Sequence, residues 1–283
     1  MQGKSRTRCG PGNTGEIARD PLLPSGHSGS RIPGRTTAGG IVPFVSFITR
    51  AGKMHPHMGT IADNPRLRGQ RFVFSGRRDA GQQLGEFVRA LPDIGNPLVL
   101  AIPAGGVPVG KEVARALGAP FSLAVVRKIR IPGTTESGFG AVAWDGTVLI
   151  NEPLRSALGL AQEEVDAAVA ATQKNVRERL ARFMGDRHFP EVRGMTAVLC
   201  DDGLASGFTM LAAVRALRPG VPARIIVAVP TASASAAALV GREADLVACL
   251  NIRSGRTFAV ADAYREWHDL DDQELGRELE GMR

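Results

Sequence analysis

The chain has 283 residues, a mass of 29.9 kDa and 43% hydrophobic residues, enough to bury a sizeable core in one large domain or two small ones. Its net charge of +7 belongs to residues 1–70, which hold 10 Lys/Arg against 3 acidic side chains; the neutral remainder argues against nucleic acid as a partner. Cys9, Cys200 and Cys249 have no metal-ligand spacing and make no disulfide framework, so a reducing cytoplasm is the expected compartment.

Residues 1–70 also carry 12 Gly and 7 Pro and show neither a helical nor an alternating period, which predicts a disordered basic leader ahead of a domain at 71–283. The one apolar run there, Ile41 to Ile48, is broken by Pro43 and far too short to span a membrane, so no membrane partner is expected. The composition partly fits a transit peptide, and it also fits upstream sequence translated from a misassigned start, with Met54 and Met58 as candidate true starts. His55 and His57 stand in this leader without partners for a metal.

From residue 71 the chain becomes periodic. Ala80, Leu84, Val88 and Leu91 recur at steps of 4, 4 and 3, the face of a helix able to lie on a sheet. "PLVLAIP" reads as a strand, followed by a Pro-Ala-Gly-Gly turn and a helix through Val113 and Leu117 that closes at Gly118. "FSLAVVRKI" reads as one further strand leading into a polar stretch, and "FGAVA" and "TVLI" as two short strands joined by "WDG". A long helix is expected over 162–184, its Glu163, Glu164, Lys174, Arg177 and Arg179 forming a solvated face. "AVLC" and "MLAAVRAL", "ARIIVAVP" and "ASAAALVG", and finally "DLVACLN" complete an alternation of strands and helices that implies a parallel α/β sheet. "GFGAVA" matches a dinucleotide fingerprint but lacks the strand before and helix after that the fingerprint needs.

In such sheets ligands bind beyond the carboxyl ends of the strands. Two of those ends carry chemistry. Gly105 and Gly106, after Pro103-Ala104, allow backbone N–H groups to converge on an anion, although a glycine-rich strand-to-helix turn also serves plain sterics. Asp201 and Asp202 follow a buried strand and precede "GLASGFT", where Ser206, Gly207 and Thr209 stand at a helix start suited to a phosphate. Adjacent carboxylates can accept hydrogen bonds from a vicinal diol or hold hydrated Mg²⁺. Phosphate plus diol describes a ribose 5-phosphate; an Asp-Asp-Gly turn with a Ser/Thr helix cap is the purely structural alternative.

"VLCDDGLASGFTM" resembles the binding motif for phosphoribosyl diphosphate (PRPP) in the type I phosphoribosyltransferases. "LAIPAGGVPVGKEVARALGAP" is similar to the pyrophosphate loop of that family, and "VVRKIRIPGTTESGFGAVAWDG" to its mobile catalytic loop; the likeness covers residues 71 to 283. It implies a central parallel sheet flanked by helices, with a small antiparallel mobile-loop element and a small hood. It implies that Asp201 and Asp202 bind the ribose hydroxyls and a Mg²⁺ cofactor, and that Ala205, Ser206, Gly207, Phe208 and Thr209 hold the 5-phosphate. Ala104, Gly105 and Gly106 would meet the pyrophosphate, with Arg127 and Lys128 as candidate catalytic cations. The implied reaction moves the phosphoribosyl group from PRPP to a purine or pyrimidine base; a PRPP-sensing or nucleic-acid-binding regulator of the same fold is the competing expectation. A homodimer is compatible with the sequence. Ala104 stands where many relatives carry Arg, and Ala205 where 6-oxopurine enzymes carry Asp, so the acceptor resembles that of the adenine enzymes. Glu136 is the one acid of the expected loop, and Tyr264 and Trp267 are expected to pack or to cover the base site.

Overall fold

The structure is a computed structural model and describes residues 46–48, 59–134, 138–255 and 257–280. Cys9, the Met54 and Met58 starts, the His55–His57 pair and Glu136 lie outside the described residues. In chain order the elements are β1 (Ser46–Ile48), β2 (Thr60–Asp63), α1 (Arg77–Arg89), β3 (Pro97–Ala101), α2 (Gly106–Leu117), β4 (Phe121–Leu123), β5 (Val126–Arg130), β6 (Gly138–Ala143) and β7 (Val148–Ile150). There follow α3 (Glu152–Leu158), α4 (Gln162–Met184), β8 (Thr196–Cys200), α5 (Phe208–Leu217), β9 (Arg224–Ser233), α6 (Ala234–Val240), β10 (Leu246–Arg253) and α7 (Asp272–Leu279).

Seven strands form the main sheet in the order β1-β2-β10-β9-β8-β3-β4; β1 runs antiparallel to β2 and the other six are parallel. The continuous burial of β8 explains why its sequence is apolar without alternation. Ala197 and Leu199 face Met210, Leu211 and Val214 of α5 and Val240 of α6. Val198 and Cys200 face the opposite layer, with Leu84 and Val88 of α1 and Val109 and Val113 of α2. A strand covered on both faces has no solvent side to keep polar. A second, antiparallel sheet β5-β6-β7 packs with α4 and α7 through Ile129, Phe139, Val142, Val176 and Leu275.

Three features depart from the sequence reading. The sheet extends upstream of the boundary drawn at residue 70: Thr60–Asp63 pairs in parallel with Leu246–Cys249, and the buried Asp63 carboxylate takes Arg68. Four residues are too short to display a period, and what makes them a strand is a partner some 180 positions away. The run "FSLAVVRKI" is two strands, β4 at the edge of the main sheet and β5 in the small one, because the chain changes sheets at Ala124–Val125 without leaving the core. Helix α3 is an addition to the sequence reading, although its local signals are present: Asn151 Oδ1 accepts the Leu154 N–H at 3.2 Å, Pro153 sits in the first turn and Gly159 closes it at φ 64°. It buries no residue, so no apolar period announces it.

Strand β3 leads through α2 on one face toward β4, whereas β8 leads through α5 on the other face toward β9 and β10. The direction of winding therefore reverses between the neighbouring strands β3 and β8, which opens a crevice at their carboxyl ends. The two segments singled out for their chemistry are the ones that leave these two strand ends.

Candidate functional site

Ala101 of β3 and Cys200 of β8 are paired across the sheet, so the residues that follow them start side by side. The Ile102 N–H donates to the Cys200 carbonyl at 2.9 Å, and the Gly106 N–H turns back to the Ile102 carbonyl at 3.0 Å. The Pro103–Ala104 peptide in this turn is cis. A Cβ added at Gly106 would lie 2.7 Å from the Cys200 carbonyl oxygen and 2.9 Å from Asp201 Cα, and one added at Gly105 would overlap the Asp202 carboxylate. The glycines thus allow the turn to touch the aspartates, a steric role, while the Gly106 N–H is already taken by the Ile102 carbonyl. Gly105→Ala is expected to displace Asp202 and to cost about 1–3 kcal/mol, the usual penalty of overpacking, read as a lower midpoint in thermal unfolding. Unchanged stability would refute this close approach.

The aspartates are held from both chain ends. Arg77, the first residue of α1, donates from Nε to Asp202 Oδ2 at 2.9 Å and from a terminal nitrogen to the His268 carbonyl at 2.8 Å. Its guanidinium lies 3.9 Å over the Trp267 ring. The Tyr264 hydroxyl donates to the Asp202 carbonyl at 2.6 Å, and the Asp202 N–H donates to Asp201 Oδ1 at 2.9 Å. Burial and then the charge of Asp202 push the Asp201 carboxyl well above the usual carboxylate range. Asp202 is raised by burial too, with the Arg77 charge and hydrogen bond working against the rise. Burial also raises the Tyr264 phenol, keeping it a neutral donor.

Beyond the aspartates the chain continues as an extra strand rung: the Leu204 N–H donates to the Thr231 carbonyl at 3.0 Å and the Ser233 N–H to the Leu204 carbonyl at 2.9 Å. Ser233 Oγ donates to the Ala205 carbonyl at 2.8 Å and accepts the Ala236 N–H at 3.1 Å, so one hydroxyl anchors the loop and caps α6. Gly207 adopts φ 82°, a left-handed conformation that glycine enters freely; as N-cap of α5 it offers no side chain, and the Phe208 N–H donates to Ser206 Oγ at 3.5 Å. Ala205 and Ser206 are exposed, and Phe208 and Thr209 are partly buried. Asp201, Asp202, Gly105 and Gly106 therefore meet at the carboxyl ends of β3 and β8, with Ala104 partly buried beside them and the start of α5 following in the chain.

Arg127 and Lys128 lie on opposite faces of β5, as successive strand residues do. Arg127 lies with Ile129 toward α4, where its charge neighbours are Arg179, Arg130 and Asp272. Lys128 is exposed and its stem runs along Gly138. Arg77 is the cation in contact with the aspartates, and the sequence reading missed it. Tyr264 packs at 1% exposure, while Trp267 stacks on Arg77. Among the described residues no group of three or more His, Cys, Asp or Glu side chains is placed to hold a metal ion.

The Phosphoribosyl transferase domain family matches residues 84–260, more than half of the chain and both turns of the crevice. The chain belongs to this family, as a type I phosphoribosyltransferase-like member. It is 34% identical over 203 residues to a provisionally named phosphoribosyl transferase of Mycobacterium tuberculosis, in strains CDC 1551 and H37Rv alike. Those residues are 72% of this chain, and the chain spans only 45% of the length of each of these relatives. The crystal structure of TT1426 from Thermus thermophilus is similar with a TM-score of 0.59 and 34% identity, covering 73% of this chain and 97% of that one. The family match stops short of Arg77, Tyr264 and Trp267, so the residues that brace Asp202 come from both flanks of the shared phosphoribosyl transferase region.

Proposed function

We propose that the chain is a phosphoribosyltransferase that moves a 5-phosphoribosyl group from PRPP to a nitrogenous base and releases pyrophosphate. The observation that carries this reading is the meeting, at one topological switch point, of two adjacent carboxylates and a Gly-Gly turn, with the Gly207-led start of α5 just beyond them in the chain. Asp201 and Asp202 would accept hydrogen bonds from the ribose hydroxyls, and the amides of 205–209 with Ser206 and Thr209 would take the 5-phosphate. The Gly105–Gly106 turn would receive the pyrophosphate.

Mg²⁺ fits this donor set. With two carboxylates and no third protein ligand among the described residues, the ion would be bound jointly with substrate phosphates and water, the usual habit of Mg²⁺. When bound it would neutralise charge on the departing pyrophosphate. The chain's own contribution is to orient the ribose through the aspartates and to oppose, through Arg77, the rise that burial imposes on the Asp202 carboxyl. Ala205, exposed at the loop, offers no carboxylate toward the base, which supports an acceptor that needs none. The buried free thiols Cys200 and Cys249 are compatible with a cytoplasmic site of action.

Pyrophosphate release from PRPP and Mg²⁺, assayed across a panel of purines and pyrimidines, tests the reading. Release with at least one base is expected. PRPP binding without release for any base would instead establish a sensor built on the same site.

A further inference from the structure

The family match ends at residue 260, yet the chain returns to the aspartates after it. The Arg265 N–H donates to the Phe74 carbonyl at 2.8 Å and the Glu266 N–H to the Ser75 carbonyl at 3.0 Å, which lays this stretch along the segment leading into α1. Trp267 thereby lies on the Arg77 guanidinium, and the His268 carbonyl takes one of its hydrogen bonds. Arg77 holds Asp202, so the carboxylate is oriented at one remove by residues 265–270, which belong to no helix or strand.

What fastens that stretch is α7. Asp271 Oδ1 caps it by accepting the Gln273 and Glu274 N–H groups, each at 2.7 Å. Glu274 accepts the Asp271 N–H at 3.0 Å in return, and its other carboxylate oxygen lies 3.1 Å from His268 Nε2. Leu275 is fully buried in the cluster that holds Ile129 of β5 and Val176 and Phe183 of α4. Asp272 takes Arg179 and Arg182 of α4; Arg179, expected on a solvated face, is 9% exposed and stands on the buried stripe of that helix. Glu278 accepts Lys111 Nζ at 2.9 Å from α2, the helix that starts at Gly106. The fastening is slight. A helix of 8 residues does not persist alone in water, and among the described residues of α7 Leu275 alone is buried. Leu279, at its end, borders a cavity of about 210 Å³ with Phe121, Leu123 and Met184. So few buried contacts mark a unit that opens locally while the rest of the fold stays closed.

We propose that α7 is a clasp on the Asp202 carboxylate: docked, it keeps Trp267 and His268 on Arg77 and Arg77 on Asp202, and undocked, it releases them together. Resting on the reading of Asp202 as a ribose ligand, this makes Leu275 and Glu278 positioning residues that act on PRPP without touching it. A ligand that binds the oriented carboxylate favours the docked helix to the same extent that docking favours the ligand.

Hydrogen exchange of the full chain, read with and without PRPP and Mg²⁺ and paired with PRPP calorimetry, tests the clasp. The amides of α7 and those of Arg265 and Glu266 are expected to exchange together, ahead of β8 and β9, and to slow when PRPP binds. Leu275→Ala is expected to speed exchange in both stretches, to leave β8 and β9 protected, and to weaken PRPP binding about 10-fold, within the usual range of coupling between sites. Leu275→Met is expected to restore both. Glu278→Gln, a milder change away from the core, is expected to move both readouts in the same direction by a smaller factor. Release of α7 with Arg265 and Glu266 still protected overturns the proposal, as does wild-type PRPP affinity in Leu275→Ala, or equal loss of protection in β8. Should the wild type bind no PRPP, the ribose reading fails, while joint release of α7 and residues 265–266 in Leu275→Ala still supports the clasp and separate release still overturns it.

Discussion

Asp201→Asn is expected to weaken PRPP binding about 10- to 100-fold, the range for one charge-assisted hydrogen bond, while raising the thermal midpoint of the unliganded protein. The two effects have one origin. Asp201 is held partly buried beside Asp202, and burial and that second charge push its carboxyl well above the ordinary range. The ionised form is therefore less comfortable in the folded chain than in the unfolded one. Asparagine keeps the oxygen that accepts the Asp202 N–H and drops the charge. Each kcal/mol relieved should lift the midpoint by about 2–4 °C in a chain of this size. The sign fixes the pH dependence. A raised folded pKa means that the group's contribution to stability is complete below the unfolded carboxylate value of about 4 and is lost as pH rises through the folded value. The gap between variant and wild type should accordingly open from about pH 4 upward and then level off. Thermal scans of both proteins at a series of pH values, with PRPP calorimetry near neutrality, measure this. A variant less stable than wild type at neutral pH would contradict the assigned strain.

Arg77→Ala should do the reverse at the neighbouring carboxylate. Asp202 is 16% exposed and Arg77 8% exposed, and their bond is the one direct charge contact of the pair among the described residues. Removing one partner of a buried ion pair costs about 3–5 kcal/mol, because the other charge is left without compensation. The stacking on Trp267 and the bond to the His268 carbonyl are lost in the same step. At about 2–4 °C per kcal/mol the midpoint should fall by roughly 10 °C. Asp202 would then be raised further, since the charge that opposes its rise is gone, and PRPP affinity should decline toward acid at higher pH than in the wild type. Arg77→Lys keeps the charge but cannot span both acceptors, so an intermediate loss is expected. An Arg77→Ala protein that melts within a degree of wild type would rule out the bracing role.

The α/β alternation was readable because each strand of the main sheet from β3 onward carries its own apolar run and most helices their own period. The crevice was readable for a related reason: Asp201, Asp202 and the start of α5 lie within nine consecutive residues, and Gly105–Gly106 within one turn, so strand, turn and helix start appear as text. Arg77 was not readable. It meets Asp202 across 125 positions, and its surroundings in sequence are those of any charged helix start. Arg179 reaches Asp272 across 93 positions, and only the helical stripe it interrupts could have hinted at its burial. Arg127 and Lys128, adjacent in the chain, were separated by the simple pleat of β5. Sequence by itself determined the local chemistry of two strand ends and the fold that places ligands there, since periodicity and turn chemistry act over a few residues. Tertiary structure alone decided which charges meet, because burial and ion pairing depend on contacts between residues that the chain keeps far apart.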